Sequence, residues 1–279
     1  MKMIIADSSC DIIELNREYK NVSYKRVPLS IMIEGNNYID TAELNIDLMM
    51  QHMETYKGKT SSACPSPDAW VEAAKDADEI FMIPLSSRLS GSYNSALIAQ
   101  NMINEEYPDK KVYIVDSLAA SGENILLVYK LAELLESRMD FLDVCVKIED
   151  YKSKVKLNFV LFSINNLVKN GRVSKLIGVA SNALNMSFVG EASEEGTFKL
   201  LHKGRGLAKS IGLMIDDMKK AGYKGGKVII SHALNELGAI KVKENILKDF
   251  PNANISIVKC SGLCSYYAER NGFLVGYEI

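Results

Sequence analysis

The chain has 279 residues, of which 47% are hydrophobic and 24% are charged, enough for one large or two ordinary domains. The formal net charge of −2 and pI near 6.0 give no electrostatic reason to expect a nucleic acid or an anionic membrane as partner. No apolar stretch reaches membrane-spanning length, and the N-terminal apolar run stops at Asp7, too early for a signal peptide. The five cysteines form no CxxC pair, which disfavours a zinc site and favours reduced thiols. We therefore expect a soluble, cytoplasmic protein without a metal.

Short runs rich in β-branched residues alternate with helical patterns along the chain. The predicted strands are residues 3–6, 79–85, 111–116, 157–163, 227–232 and 254–259. The predicted helices lie within residues 45–56, 95–107, 124–139 and 206–222. The final GFLVGYEI forms one more strand, which could belong to either of two sheets. This alternation predicts parallel sheets covered on both faces.

A second helical pattern, more polar than the first, covers residues 139–156 and follows directly on the helix at 124–139. Two helices in a row break the alternation, which is typical of a crossing between domains. We therefore predict an α/β protein of two α/β domains. The N-terminal domain, residues 1–156, has a mostly parallel sheet with helices on both faces, and residues 157–279 form the second α/β domain.

Hydroxyl groups gather after the early strands. The first strand runs into DSS, the second into SSRLSGS and the third into DS, while KTSSACPSPDAW precedes a helix. In an open parallel sheet these strand ends meet in one crevice, which suits an anionic head group. The alternative is ordinary helix capping, worth about 1 kcal/mol for each residue. Four such clusters in one half of the chain favour a binding site for an anion over capping alone. The nucleotide-binding motifs GxGxxG and GxxxxGK[ST] do not occur, which favours a carboxylate as that anion.

These motifs resemble the DegV family of bacterial fatty-acid-binding proteins over nearly the whole chain. The matching stretches are ADSSCDI, PSP, SSRLSGSYNSA, VDS, NGRVSK and SHALNE. The resemblance implies a long-chain fatty acid, and no cofactor, in a tunnel between two α/β domains. It also implies that Ser62 and Ser90 hydrogen-bond the carboxylate, with Gly91 and Ser92 beside them. Ser61 is the alternative to Ser62, because the loop TSSACPSP is longer than the usual family string.

The resemblance further implies a protein partner. Some family members present the bound acid to a separate fatty acid kinase, which makes an acyl phosphate. The Gly-Arg element of the family matches Gly171 and Arg172, so Arg172 is expected on a docking surface for such a kinase.

Two stretches depart from the family pattern. Members carry a His-x-Gly-Pro-Gly motif near the C-terminus, whose histidine joins the carboxylate site; here the stretch reads LCSYYAERNGFLVGY. Either Tyr266, Tyr267 or Arg270 replaces that histidine, or the ligand is held differently. The glycine-rich turn after VDS is also changed, to SGENI.

Two other functions remain open at the level of sequence. A serine hydrolase or another small-carboxylate enzyme could use the same serine-rich crevice, but no GxSxG element occurs. Such an enzyme would need His52, His202 or His232 within about 3 Å of a serine. An interaction module, in which the crevice is incidental, is the other alternative. We predict a non-enzymatic fatty-acid carrier.

Overall fold

A computed structural model describes residues 1–174 and 186–279. Of the motif NGRVSK, Lys175 lies outside the described residues. In chain order the described elements are β1 (Lys2–Asp7), β2 (Val22–Val27), β3 (Ser30–Ile33), β4 (Asn36–Ile39), α1 (Ile46–Thr55), β5 (Thr60–Ala63), α2 (Pro67–Ala74), β6 (Glu79–Ile83), α3 (Ser92–Glu106), β7 (Lys111–Ile114), α4 (Gly122–Glu136), α5 (Phe141–Lys152), β8 (Val155–Leu161), α6 (Asn165–Lys169), β9 (Met186–Ala192), β10 (Phe198–Arg205), α7 (Leu207–Lys220), β11 (Lys227–His232), α8 (Glu236–Asp249), β12 (Asn254–Lys259), α9 (Gly262–Ala268) and β13 (Phe273–Glu278).

The N-terminal sheet is parallel throughout, with strand order β2-β1-β6-β7. Successive side chains of β1 point to opposite faces, as in any strand. Met3 and Ile5 pack with Trp70 and the apolar residues of α2 and α3, whereas Ile4 packs with α4 and α5 on the other face. Helices therefore cover both faces, as predicted, and the fold class is confirmed.

The second sheet has six strands in the order β10-β9-β8-β13-β11-β12. Only β11 and β12 are parallel to each other, and the other neighbouring strands run antiparallel. The expectation of a parallel sheet is wrong here. Two reversals explain the difference: β9 and β10 form a hairpin through the turn at residues 193–197, and β13 returns between β8 and β11. Strand β13 thus belongs to this second sheet.

A third sheet, which the sequence pattern did not predict, has the order β4-β3-β5. Its strands have four residues each, and only β3 is largely buried, so hydrophobic periodicity gives little signal. Ile31 and Ile33 of β3 pack on the buried methionines of α1 and on Tyr266 of α9. Helix α9 therefore packs on this small sheet through Tyr266 and on the second large sheet through Cys264 and Ala268.

Helix α4 lies between the two large sheets and contacts both. Its N-terminus meets β13 backbone to backbone: a Cβ built on Gly122 would lie 2.7 Å from the backbone nitrogen of Gly276. Side chains larger than hydrogen would separate the elements at this crossing. The predicted division between residues 156 and 157 stays a prediction; β8 itself begins at Val155.

Within the described ranges, 1–174 and 186–279, none of the helices has both the length and the apolar character needed to cross a bilayer.

Candidate functional site

The first group of hydroxyls surrounds the buried carboxylate of Asp7, at the end of β1. One carboxylate oxygen accepts hydrogen bonds from the backbone nitrogen and the Oγ of Ser9, and the other accepts from the Leu85 nitrogen at 2.7 Å and from the Ser92 Oγ. Burial raises the pKa of Asp7, and these hydrogen bonds oppose that rise. We call Asp7, Ser9, Leu85 and Ser92 the Asp7 cluster. It joins β1 to the loop after β6 and to the N-terminus of α3.

Other buried serines after the strands also have internal partners. Ser86 Oγ donates to the Gly196 carbonyl at 2.7 Å, and Ser117 Oγ donates to the Pro84 carbonyl at 2.9 Å. Ser121 Oγ donates to Asp11, 2.6 Å away. These hydroxyls hold loops together, so the predicted crowd of serines is largely structural.

An elongated apolar cavity lies between the N-terminal loops and the second sheet. The apolar lining comprises Leu29, Leu85, Leu89, Ala119, Ala120, Leu157, Phe159, Leu161, Leu167, Ala192, Phe198, Leu263, Ala268 and Leu274. Hydroxyl or charged side chains occur at few positions, among them Ser62, Ser90, Arg172 and Tyr267. A mostly apolar tube with a few polar groups is typical of a site for an amphipathic ligand.

Those four polar residues share one end of the cavity. Ser62 Oγ and the Tyr267 hydroxyl are 2.8 Å apart, and the Arg172 guanidinium lies 5.9 Å from the centre of the Tyr267 ring. Arg172 Nε donates to the carbonyl of Leu89, the residue before Ser90, at 3.1 Å. We call Ser62, Ser90, Tyr267 and Arg172 the polar end of the cavity.

The polar end retains hydrogen-bonding capacity. Ser62 and Tyr267 together have two O–H donors, and the bond between them uses one. Ser90 Oγ accepts from the Ser92 nitrogen, which leaves the Ser90 proton available. Arg172 forms no ion pair with a carboxylate anywhere in the two described segments. This arrangement can receive one small anion.

The cavity extends away from its polar end along β8. Leu157, Phe159 and Leu161 alternate with residues that face the opposite helices, so all three point into the cavity. Leu161 is the last residue of β8, and the chain runs from it into α6, where the Leu167 carbonyl accepts a hydrogen bond from the Arg172 nitrogen at 2.8 Å. Leu157 then lies roughly 13 Å farther along the strand. The cavity is therefore long in the direction that an acyl chain would take.

Comparison with known proteins gives the family. A family description, "Uncharacterised protein, DegV family", matches residues 2–277. The chain belongs to the DegV family. The DegV domain-containing protein of Streptococcus gordonii is 45% identical over 276 residues, which cover 99% of this chain and 98% of that protein.

Two solved DegV structures have nearly the same fold. The fatty acid kinase B3 protein of Streptococcus pneumoniae, loaded with linoleic acid, is 45% identical, with a TM-score of 0.97 over 100% of this chain and 99% of that one. A DegV family protein from Eubacterium eligens, loaded with heptadecanoic acid, is 36% identical, with a TM-score of 0.95 over the same shares. The resemblance read from the sequence motifs is confirmed.

The serines predicted from the DegV motifs are placed in different surroundings. Ser62 and Ser90 both line the cavity. Ser61 is exposed on β5, because neighbouring residues of a strand face opposite sides. Gly91 is exposed at the start of α3, and Ser92 is buried in the Asp7 cluster. Neither Gly91 nor Ser92 is among the residues that line the cavity.

The three candidates for the missing DegV histidine are also separated. Tyr267 lines the cavity, whereas Tyr266 points into the core under β3 and bonds to Thr60 and Asn170. Arg270 pairs with Glu54 at 2.6 Å and does not line the cavity. Of the three candidates, Tyr267 alone lines the cavity. Adjacent residues of the short helix α9 project about 100° apart, which explains why Tyr267 lines the cavity while Tyr266 lies in the core.

The β9–β10 hairpin also contributes to this DegV cavity, although neither of its strands was predicted from the sequence. Ala192, Thr197 and Phe198 line it, and the hairpin turn is fixed to the loop after β6 through the hydrogen bond from Ser86 to Gly196. The signal was present, because a glycine-containing turn, SEEGT, joins two runs with strand character. Gly196 has a φ of 81°, which favours glycine.

Proposed function

We propose that this chain is a non-enzymatic carrier that binds a long-chain fatty acid, with the acyl chain in the apolar cavity and the carboxylate at the polar end. Ser62 and Ser90 donate hydrogen bonds to the carboxylate, and Tyr267 takes the position left by the absent histidine. The observation that carries this proposal is the apolar cavity with unused hydroxyl donors at one end. DegV relatives whose structures hold linoleic and heptadecanoic acid support it.

The acyl chain supplies most of the binding energy in this arrangement. Burial of about fifteen methylenes, each contributing about 0.8 kcal/mol, gives on the order of 12 kcal/mol. Loss of translational freedom and ordering of the chain remove about half of that or more. Each hydrogen bond to the carboxylate adds about 1.5–3 kcal/mol. The polar end therefore orients the acid, and the cavity retains it.

Arg172 gives the polar end a positive charge without a compensating carboxylate among the described residues. It is partly buried, and its contacts to the carbonyls of Leu89 and Asn170 fix the side chain in place. A fatty-acid carboxylate bound at Ser62 and Ser90 would lie in the field of this guanidinium, which favours the ionised acid. This role is proposed in addition to the docking role implied by the family.

We also propose that a fatty acid kinase uses the bound acid as its substrate. The support is the pneumococcal relative, which is named as a protein of fatty acid kinase. Arg172 is only partly buried at the polar end, so a docked kinase could contact it close to the carboxylate. A kinase assay that follows acyl phosphate formation tests this role: the protein loaded with oleate should support the reaction, and an Arg172→Ala variant should support it less well.

The hydrolase alternative lacks a general base at the cavity. His52 contacts Tyr38 and Glu34, and His202 pairs with Asp217. His232 Nδ1 accepts from the Asn235 nitrogen, and burial lowers the pKa of His232. None of these histidines is among the residues that line the cavity, so neither Ser62 nor Ser90 has an imidazole to activate it.

The decisive experiment is mass spectrometry of the protein purified from cells without detergent. Native spectra should show a mass increase, and denaturing extraction should release a long-chain acid in about equimolar amount. The Ser62→Ala, Ser90→Ala double variant should release far less acid while keeping the fold by circular dichroism. A lipid-free wild-type protein that also fails to bind added oleate would overturn the proposal.

A further inference from the structure

The acyl cavity ends where β8 begins, at the part of the strand farthest from Leu161. Leu157 lines the cavity there, and it also borders a second space outside, which we call the outer pocket. Ala192 borders both spaces as well. Extending the β8–β9 register by one pair beyond Asn158 and Glu191 places Leu157 and Ala192 opposite each other. These two side chains therefore lie between the acyl cavity and the outer pocket.

The loops after β6 and β7 complete this end of the cavity. Ser86, in the loop after β6, donates its backbone N–H to the Ala119 carbonyl at 3.0 Å and its hydroxyl to the Gly196 carbonyl at 2.7 Å. Ala119 lines the acyl cavity, whereas its neighbour Leu118 lines the outer pocket. The β9–β10 turn packs directly on this loop, because a Cβ built on Gly196 would lie 3.0 Å from the Leu118 Cα. We call the set that separates the two spaces the end wall: Leu118, Ala119, Leu157 and Ala192.

The end wall separates an apolar environment from a polar one. On the cavity side, Ala192 has apolar neighbours in Leu157 and in Phe198, its partner in β10. The outer pocket is lined largely by polar and charged residues, of which Ser153 and Glu194 are exposed: Glu149, Lys152, Ser153, Ser193 and Glu194. Each methylene buried in an apolar site raises affinity about fourfold, but a methylene in a solvated pocket adds almost nothing. An acyl chain therefore gains affinity with each added carbon only until its methyl end reaches the wall.

Ala192 is the position in the end wall where a change of side-chain size acts directly on the cavity. Side chains alternate along β9, so Phe188 and Ala192 share a face, and both pack with Phe159 on the cavity side of the sheet. Ala192 is only half-buried, whereas Ala119 is fully buried and its carbonyl is held by Ser86. Carbon atoms added at position 192 would therefore occupy the space that the end of an acyl chain would fill.

We propose that the end wall fixes the longest acyl chain that the cavity can bury, and that Ala192 is the specificity-determining residue for chain length. The small side chain of Ala192 leaves the last part of the cavity to the acyl chain, and Leu157 closes the cavity behind it. This inference rests on the proposed fatty-acid function and adds a residue that selects among fatty acids by length.

The test measures the affinity of the lipid-free, full-length protein for a series of saturated straight-chain acids, from dodecanoic to docosanoic acid, by displacement of a fluorescent fatty acid. In the wild type the affinity should rise with length up to one preferred acid and then stop rising. Ala192→Val and Ala192→Leu should shorten the preferred acid by about two and about three carbons, because each added side-chain carbon replaces about one methylene. For Ala192→Leu, the acid preferred by the wild type should bind more than about tenfold more weakly, and dodecanoic acid should bind within about twofold of the wild type.

Glu195→Leu is the matched control for this series. It adds an exposed leucine to the same hairpin, and Glu195 does not line the acyl cavity. The preferred chain length of this variant should equal that of the wild type. A shift of the same size as in Ala192→Leu would show that disturbance of the hairpin, rather than the space at position 192, changes the preference, and the inference would be wrong.

Leu157→Ala changes the end wall in the opposite direction. The truncation removes the side chain that closes the cavity, so acids longer than the preferred one should gain about tenfold in affinity relative to it. Circular dichroism checks that each variant is folded. If Leu157→Ala does not fold, the graded series at position 192 decides the question.

The outcomes separate this inference from the fatty-acid function on which it rests. If Ala192→Leu leaves the preferred length unchanged, the methyl end does not reach the end wall and the inference is wrong. If it weakens all the acids by the same factor, Ala192 has only a structural role and the inference is also wrong. In both cases the fatty-acid function stands. If the wild type binds none of the acids and no added oleate, the fatty-acid function itself fails.

Discussion

The Asp7 cluster and the polar end of the cavity both contain serines, but the two groups differ in how far their hydroxyls are used in hydrogen bonds within the protein. In the Asp7 cluster, Ser9 and Ser92 use their hydroxyls on one buried carboxylate. At the polar end, Ser62 and Ser90 have protein contacts that leave a donor unused. Both groups look alike in the sequence, as short polar stretches beside strands and helices. The comparison shows that unused hydrogen-bonding capacity, rather than a high density of hydroxyls, distinguishes a binding group from a structural one.

The largest expected effect comes from removing the centre of the Asp7 cluster. Asp7→Ala should lower the free energy of unfolding by about 3–5 kcal/mol, because the Leu85 nitrogen and two hydroxyls lose their buried acceptor. Urea denaturation measures the change. Asp109→Ala, at an exposed turn, is the control and should change stability by less than about 0.5 kcal/mol. A small effect of Asp7→Ala would show that the cluster does not hold the N-terminal loops.

Glu123 extends the comparison to a buried carboxyl without a donor. Its pKa is raised from 4.5 to about 8. Between these two pH values the carboxyl group is therefore protonated in the folded state and ionised in the unfolded state. The stability contributed by the neutral group is fully present below the unfolded pKa and is lost as the pH rises through the folded pKa.

Glu123→Gln cannot ionise, whereas the wild type loses the stability of its neutral carboxyl group as the pH rises. The stability difference between Glu123→Gln and the wild type should therefore increase by roughly 4 kcal/mol in favour of the variant from about pH 5 to about pH 9. Denaturation across this pH range is the measurement. Glu105→Gln, on the exposed side of α3, is the control. Parallel pH curves for Glu123→Gln and the wild type would contradict the burial argument.

Ser62 and Ser61 allow a matched test of ligand binding. Ser62→Ala should weaken fatty-acid binding about tenfold or more, because a hydrogen bond to the carboxylate is lost, with little change in stability. Ser61→Ala, one residue away on the exposed face of β5, should leave the affinity unchanged. Fluorescent fatty-acid displacement measures both. Equal affinities in the two variants would remove Ser62 from the head-group site.

Tyr267→Phe should have the smallest effect. The ring and its packing against Arg172 remain, and only the hydroxyl that contacts Ser62 is removed. We expect binding of the acid to weaken about threefold to tenfold, as for the loss of one hydrogen bond. Tyr266→Phe is the control: its hydroxyl bonds to Thr60 and Asn170, so the loss should appear in stability instead of affinity.

Much of the framework could be predicted from hydrophobic pattern. Strands β11 and β12 have the predicted bounds, and the bounds of β1, β6, β7 and β8 differ from prediction by a few residues at their ends. The unpredicted strands are β2 to β5, β9 and β10. In these strands several residues are exposed or half-buried, so they lack the continuous apolar run that identified the others.

The residues of the candidate site could be predicted from the sequence less completely than the fold. Motifs selected Ser62, Ser90 and Tyr267 together with Ser61, Ser92 and Tyr266, which have the same chemistry at neighbouring positions. The two groups separate only when strand alternation, helix rotation and the Asp7 cluster assign each side chain a direction.

The sequence by itself determined the fold class, the family and the short list of polar residues, because periodicity, turn residues and local motifs are properties of neighbouring positions. The tertiary structure alone decided which hydroxyls keep a free donor, that Arg172 lines the cavity, and that the Glu123 side chain is buried. Each of these depends on contacts between segments far apart in the chain, and burial and hydrogen-bond satisfaction are set only when those segments pack.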